Sequence, residues 1–152
     1  MAEAILNGVL FGKLAGPKDI SVGEPVAERR EYLTSQFGVN TDADNLKTAQ
    51  QADLVVFAVK PQDLGPVMGE LKGKLGTDQA ALSIVAGAKM ETLTKGLGHT
   101  SIVRVMPNTP AQIGAGMTLW TCSDGVDESR REMTKSVLGS IGQEIYVDDE
   151  KY

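Results

Sequence analysis

The stretch Asp53-Leu54-Val55-Val56-Phe57-Ala58-Val59 decides the fold class of this chain. It is continuously apolar after its first residue, as a parallel strand that is covered on both faces must be. Lys60-Pro61-Gln62 follows as a turn. Apolar residues at helical spacing then predict a helix marked by Leu64, Val67, Met68, Leu71 and Leu75. This order predicts one βα unit of a parallel α/β sheet.

The same alternation continues along the chain in both directions. Further strands are predicted at residues 19–23, 80–85, 101–106, 116–122 and 144–147. Further helices are predicted at residues 1–14, 25–37, 41–50, 90–95 and 127–139. Strands that alternate with helices across short loops predict a Rossmann-like, doubly wound and mainly parallel sheet with helices on both faces. We expect residues 1–152 to form one such domain.

The first helix is unusual because it comes before any strand. Its buried face is predicted from a stripe of apolar residues, namely Ala2, Ile5, Leu6, Val9, Leu10 and Leu14. A βαβ nucleotide-binding unit normally begins with a strand and a glycine-rich turn, so we expect a truncated unit. Loss of the central first strand would leave both neighbouring strands with unpaired edges. We therefore expect a collapsed gap, a strand borrowed from a second copy, or edge pairing in a homo-oligomer.

Composition excludes several classes of partner. A net charge of −5 argues against nucleic acid and anionic membranes. The adjacent basic pairs Arg29-Arg30 and Arg130-Arg131 lie among acids and are expected on solvated helix faces. No apolar run approaches the length that spans a membrane, and no signal peptide is recognised.

The thiol and imidazole groups of the chain are too few for common catalytic or metal sites. Cys122 is the single cysteine, so an internal disulfide is excluded and the cytoplasm is the expected location. We expect Cys122 to be a buried, inert thiol. His99 is the single histidine, so neither a zinc site nor a Ser-His-Asp triad is expected, and we place His99 at the surface.

Four turns follow the predicted strands and are candidates for a binding rim. They are Gly23-Glu24-Pro25, the turn at 58–62, Ala86-Gly87-Ala88, and the turn at 106–110. Ligands of open α/β sheets bind beyond the carboxyl ends of the strands, where these turns would meet. Turn chemistry alone would also place small, polar and proline residues there.

Glu24 is the most informative residue of these turns. An acid at the end of the second strand can accept hydrogen bonds from both adenine-ribose hydroxyls, and it repels a 2′-phosphate. Alternatively, the carboxylate stabilises the N-terminus of the following helix, which is worth a few tenths to about 1 kcal/mol. The two roles are compatible.

Three segments, taken together, resemble pyrroline-5-carboxylate reductase: Ala58-Val59-Lys60-Pro61-Gln62, Ser83-Ile84-Val85-Ala86-Gly87 and Arg104-Val105-Met106-Pro107-Asn108-Thr109-Pro110. The resemblance implies a dimeric or larger cytoplasmic enzyme that uses NAD(P)H to reduce 1-pyrroline-5-carboxylate to L-proline. It implies that Asn45 approaches the adenosine of the cofactor. The phosphate and ribose path would be lined by Ala58, Val59, Lys60 and Pro61. The nicotinamide would be bordered by Ala86, Gly87, Asn108, Thr109 and Pro110.

The chain also departs from that family. The first strand, its glycine-rich turn and the helical C-terminal domain that supplies the substrate pocket are not found. We therefore expect no catalytic residue, no metal site and no activity in this chain alone. Glu24-Pro25 stands where many relatives carry serine or arginine, which favours NADH over NADPH. Two alternatives stay open: a related hydroxyacid or prephenate dehydrogenase-like oxidoreductase, and a non-catalytic nucleotide-binding or interaction fragment.

Overall fold

The computed structural model describes residues 2–106 and 116–148. Its helices are α1 (Ala2–Phe11), α2 (Ala27–Phe37), α3 (Asn45–Ala49), α4 (Pro61–Leu71), α5 (Met90–Leu97) and α6 (Glu128–Gly139). Its strands are β1 (Ser21–Gly23), β2 (Asn40–Asp42), β3 (Leu54–Phe57), β4 (Ala80–Ser83), β5 (Ile102–Met106), β6 (Gly116–Cys122) and β7 (Gly142–Tyr146).

The strands form a five-stranded sheet in the order β3-β4-β5-β6-β7 and a two-stranded sheet of β1 and β2. Pairing is parallel throughout except between β5 and β6. One apolar cluster packs α4 and α5 on one face of the larger sheet, and a second packs α1 and α6 on the other. The predicted Rossmann-like, mainly parallel α/β fold with helices on both faces is therefore confirmed.

No strand among the described residues joins the two sheets, and we call the interval between β1 and β3 the gap. In the described part of the chain β1 pairs with β2 and β3 pairs with β4. Helix α1 connects the sheets, because Ile5 packs in the cluster of the larger sheet and Leu6 packs with Leu33 beside the smaller one. The gap is thus spanned by a helix, and direct pairing of β1 with β3 is not observed.

The region from residue 40 to residue 50 differs from the predicted single helix. Asn40–Asp42 forms β2, which pairs with β1 in parallel, and the helix begins only at Asn45. Asp44 causes this break, since its side chain accepts hydrogen bonds from the backbone N–H groups of Leu46 and Lys47 at 3.0 and 3.2 Å. Such capping starts a helix at a defined residue.

Two single-residue expectations also need correction. His99 is buried, and its Nε2 lies 2.6 Å from the backbone oxygen of Gln79. The carbonyl can only accept, so Nε2 carries the proton, and the imidazole tethers α5 to the loop before β4.

Cys122 is half-buried rather than buried. Burial nevertheless raises the pKa of its thiol, which keeps it protonated at neutral pH.

Membrane-spanning helices and metal-binding clusters are both absent from the described residues. None of their helices combines the length and apolar character that crossing a membrane requires. Residues 2–106 and 116–148 also contain no group of three or more His, Cys, Asp or Glu side chains placed to hold a metal ion.

Candidate functional site

The predicted turns lie at the carboxyl ends of β1, β3 and β4. Strand β3 pairs with β4 so that Phe57 lies opposite Ser83, which brings the turns after the two strands to one edge of the sheet. Ala58 and Val59 are half-buried, while Lys60 and Pro61 are exposed. An extended ligand at this edge would therefore contact backbone and small side chains before it reached the core.

The turn after β3 leads directly into α4. Lys60 is the N-cap residue, Pro61 is the first helical residue, and the N–H of Asp63 donates to the Lys60 oxygen over 2.9 Å. Proline suits this position because the first N–H groups of a helix have no intrahelical acceptor. The positive end of α4 therefore faces the rim, where it favours an anionic group.

The turn after β4 exposes bare backbone. Gly87 has φ = +79°, a conformation that favours glycine, and a Cβ built there would point into open space. Ser83 helps to make the turn, because its Oγ accepts from the N–H of Val85 at 3.1 Å. Ala86 and Gly87 are both exposed, so a flat ring could approach this backbone closely.

Glu24 follows β1 and is half-buried. Its Oε1 accepts from the N–H of Val26, the N-cap residue of α2, at 3.3 Å, so the helix-stabilising role that was considered for it has a structural basis. Arg30 donates to the backbone oxygens of Glu24 and Pro25 at 2.8 and 2.9 Å. These two bonds hold the Arg30 guanidinium against the backbone carbonyl groups of the Gly23-Glu24-Pro25 turn.

Asn45 lies against Gly23, the residue before Glu24, and makes two contacts that the sequence did not reveal. Its Nδ2 donates to Oε2 of Glu70 on α4 over 2.9 Å. Its Oδ1 lies so close to Gly23 that a Cβ on that glycine would collide with it. Sequence reasoning placed Gly23 in a candidate turn but missed its contact with Asn45, and it missed Glu70 altogether. A glycine directly before Glu24 was a signal that another group approaches the strand end.

Two further carboxylates lie at this end of the small sheet, together with the cationic side chains of Lys47 and Arg30. Asp42 pairs with Gly23 in register, and Asp44 caps α3. The N–H of Asp44 donates to Oδ1 of Asp42 at 2.8 Å, and this bond, together with Lys47 at 3.5 Å, lowers the pKa of Asp42. Asp42 is therefore ionised at neutral pH, and Lys47 offsets part of its charge.

The structure brings together only some of the predicted site residues. Glu24 and Asn45 form one group, Ala58, Val59, Lys60 and Pro61 a second, and Ala86 with Gly87 a third. Asn108, Thr109 and Pro110 lie outside the described residues. The described residues therefore cover the Glu24 end and the middle of the candidate rim. At the end where the nicotinamide is expected, they include only Ala86 and Gly87.

Comparison with known proteins adds an independent line of evidence. The profile of the family described as NADP oxidoreductase, coenzyme F420-dependent, matches residues 1–87. Pyrroline-5-carboxylate reductase of Synechocystis is 36% identical over 150 residues, which are 98% of this chain and 55% of that protein. The Arabidopsis thaliana protein of the same name is 30% identical over 152 residues, again 55% of its length. The chain thus spans about half the length of these relatives.

Solved structures give the same result. The pyrroline-5-carboxylate reductase of Coxiella burnetii superposes with a TM-score of 0.91 at 32% identity, over 98% of this chain and 56% of that one. Prephenate dehydrogenase of A. aeolicus superposes with a TM-score of 0.75 at 13% identity, a likeness of fold alone. The predicted resemblance to pyrroline-5-carboxylate reductase is therefore confirmed.

Proposed function

We propose that this chain is the nucleotide-binding part of a pyrroline-5-carboxylate reductase. The chain belongs to the family described as NADP oxidoreductase, coenzyme F420-dependent. It would hold NAD(P)H while 1-pyrroline-5-carboxylate is reduced to L-proline. The observation that carries the proposal is the group at the carboxyl end of β1, where Asn45 packs against Gly23 and Glu24 is the next residue of the chain. Such a group suits the adenosine ribose of a dinucleotide.

The residues along the rim fit the other parts of that cofactor. When bound, the cofactor supplies a hydride, and the chain holds the cofactor in the position that hydride transfer requires. The adenosine would lie against Glu24 and Asn45. The backbone of 58–61 and the positive end of α4 would follow its phosphates. Gly87 leaves space for the nicotinamide because it has no side chain to block close approach, and Ala86 and residues 108–110 would border the same ring.

We further propose that the bound cofactor is NADH in preference to NADPH. A 2′-phosphate on the adenosine ribose would approach Glu24 and come near Asp42 and Asp44. Each carboxylate repels it, whereas the two hydroxyls of an unmodified ribose would donate hydrogen bonds to Glu24. The lowered pKa of Asp42 keeps one of these charges in place even in mildly acidic solution.

Among the described residues β1 pairs only with β2 and β3 pairs only with β4, and these open edges support our proposal of a homo-oligomer. The proposal of a cytoplasmic location rests on the single cysteine, which excludes an internal disulfide. An exposed strand edge pairs readily with another chain. A missing ladder hydrogen bond forfeits about 0.5–1.5 kcal/mol, so an open gap between two strands consumes a large share of a domain's stability.

The proposal is tested by titrating the ¹⁵N-labelled chain with NADH and by assaying proline formation. We expect chemical-shift changes at the rim, for example at Gly23, Glu24, Asn45, Ala58 and Gly87. We expect no proline above a heat-killed control, because the 152-residue chain spans only 55% of the Synechocystis reductase. Unchanged spectra would exclude nucleotide binding. Turnover in a preparation free of host reductase would show that the chain suffices for catalysis.

A further inference from the structure

The side chain of Asn45 has a defined orientation. It lies in the first turn of α3 and crosses to the end of β1, where its Oδ1 lies against Gly23. On the other side its amide nitrogen is 2.9 Å from Oε2 of Glu70. Three elements that are distant in sequence, β1, α3 and α4, therefore converge on this one carboxamide.

Glu70 determines which end of the carboxamide faces which neighbour. An ionised carboxylate accepts hydrogen bonds and donates none, so it must meet the nitrogen of the amide. The oxygen is thereby turned towards Gly23 and the adjoining Glu24. Without Glu70, rotation about the terminal bond could exchange the two ends, because amide nitrogen and oxygen have nearly the same size.

We infer that Glu70 is a positioning residue that sets the nucleotide preference of this chain by orienting Asn45. This inference rests on the proposed function. With its oxygen turned to the strand end, Asn45 adds a hydrogen-bond acceptor beside the Glu24 carboxylate. Two acceptors match a ribose diol, which donates, and disfavour a ribose phosphate, which accepts. A reversed amide would instead present a donor to a phosphate.

Glu70 acts through the carboxamide and not through its own charge. Glu70→Ala removes both the charge and the acceptor for Asn45, whereas Glu70→Gln removes the charge but keeps an oxygen that can accept from Nδ2. The two variants therefore separate positioning from electrostatics. Glu91→Ala is the matched control, because Glu91 is an exposed helical glutamate whose carboxylate pairs with Lys95 at 2.7 Å.

The first measurement needs no ligand. In ¹⁵N-edited spectra of the 152-residue chain, contacts between the Asn45 side-chain amide and Gly23 Hα report the orientation of the carboxamide. We expect one fixed orientation in the unaltered chain, in Glu70→Gln and in Glu91→Ala, and an averaged one in Glu70→Ala. An unchanged carboxamide in Glu70→Ala would overturn the inference.

The second measurement compares the affinities for 5′-AMP and for adenosine 2′,5′-bisphosphate. We expect Glu70→Ala to narrow the preference for 5′-AMP by about three- to tenfold, the value of one hydrogen bond. Glu70→Gln should retain most of the preference. In an Asn45→Ala background, Glu70→Ala should have no further effect, whereas a structural role of Glu70 would still lower the affinity there.

The outcomes separate this inference from the proposed function. If the unaltered chain binds neither nucleotide, the proposed function fails, and the nucleotide role of Glu70 fails with it. If the unaltered chain prefers 5′-AMP and Glu70→Ala keeps that preference, only the inference is wrong. A further loss in the Asn45→Ala background, or a loss in Glu70→Gln equal to that in Glu70→Ala, would likewise overturn it.

Discussion

At the residue scale, the charge of Glu24 is expected to decide between NADH and NADPH. In a reductase that contains this chain, NADH should be used at least as well as NADPH. Glu24→Ser should shift the ratio of the two KM values towards NADPH by about fivefold or more, since one charge contact at 4 Å is worth about 1 kcal/mol in water. Glu91→Ser should leave the ratio unchanged. A strong NADPH preference in the unaltered enzyme would refute this role of Glu24.

Gly23 is the second residue with a specific role, because Asn45 needs the space that its missing side chain leaves. Gly23→Ala should displace the carboxamide, lower 5′-AMP affinity and reduce the free energy of unfolding by about 1 kcal/mol, the low end of the cost of overpacking, because the colliding atom is the end of a side chain that can rotate away. Urea unfolding and nucleotide titration measure both effects. Gly65→Ala in α4 is the control, since its Cβ would meet open space, and it should be neutral or stabilising. Equal behaviour of the two variants would contradict the role of Gly23.

At the element scale, α3 depends on its cap. This helix has five residues, too few to be stable by propensity alone, and Asp44 accepts from two of its first N–H groups. Asp44→Ala should lower the free energy of unfolding by about 1 kcal/mol and weaken 5′-AMP binding, because Asn45 begins this helix. Asp127→Ala removes the cap of α6, where Asp127 accepts from the N–H of Arg130 at 2.8 Å. It should lower stability without changing the affinity, and an equal loss of affinity in both variants would exclude a local effect.

At the scale of the whole molecule, the gap between β1 and β3 is expected to control assembly. We expect a dimer or larger species by sedimentation equilibrium across a wide concentration range. Val56→Lys, which places a charge at a 36% exposed position of the β3 edge, should weaken assembly. Phe11→Lys changes a 93% exposed side chain outside the strands and should not. A 16.1 kDa monomer throughout, or dissociation caused only by Phe11→Lys, would exclude pairing at the gap.

Local sequence patterns were sufficient for most elements of the fold. The apolar run before Lys60 forms β3, and the periodic residues after it form α4. Gly38 and Gly98 end α2 and α5 in the left-handed conformation that favours glycine. These features depend on neighbours within one helical turn or on alternation along a strand, so they are encoded locally.

Tertiary contacts decided what local patterns could not. Residues 41 and 42 were predicted as helix, yet they belong to β2 because β1 offers a parallel partner. His99 is buried because the loop before β4 supplies an acceptor. The orientation of Asn45 depends on Gly23 and Glu70, which lie 22 and 25 positions away in the chain. Periodicity predicted most of the elements and most of their buried residues, although Leu14 lies beyond the end of α1 and is exposed. Pairing and side-chain orientation required tertiary structure, because they depend on groups that only folding brings into contact.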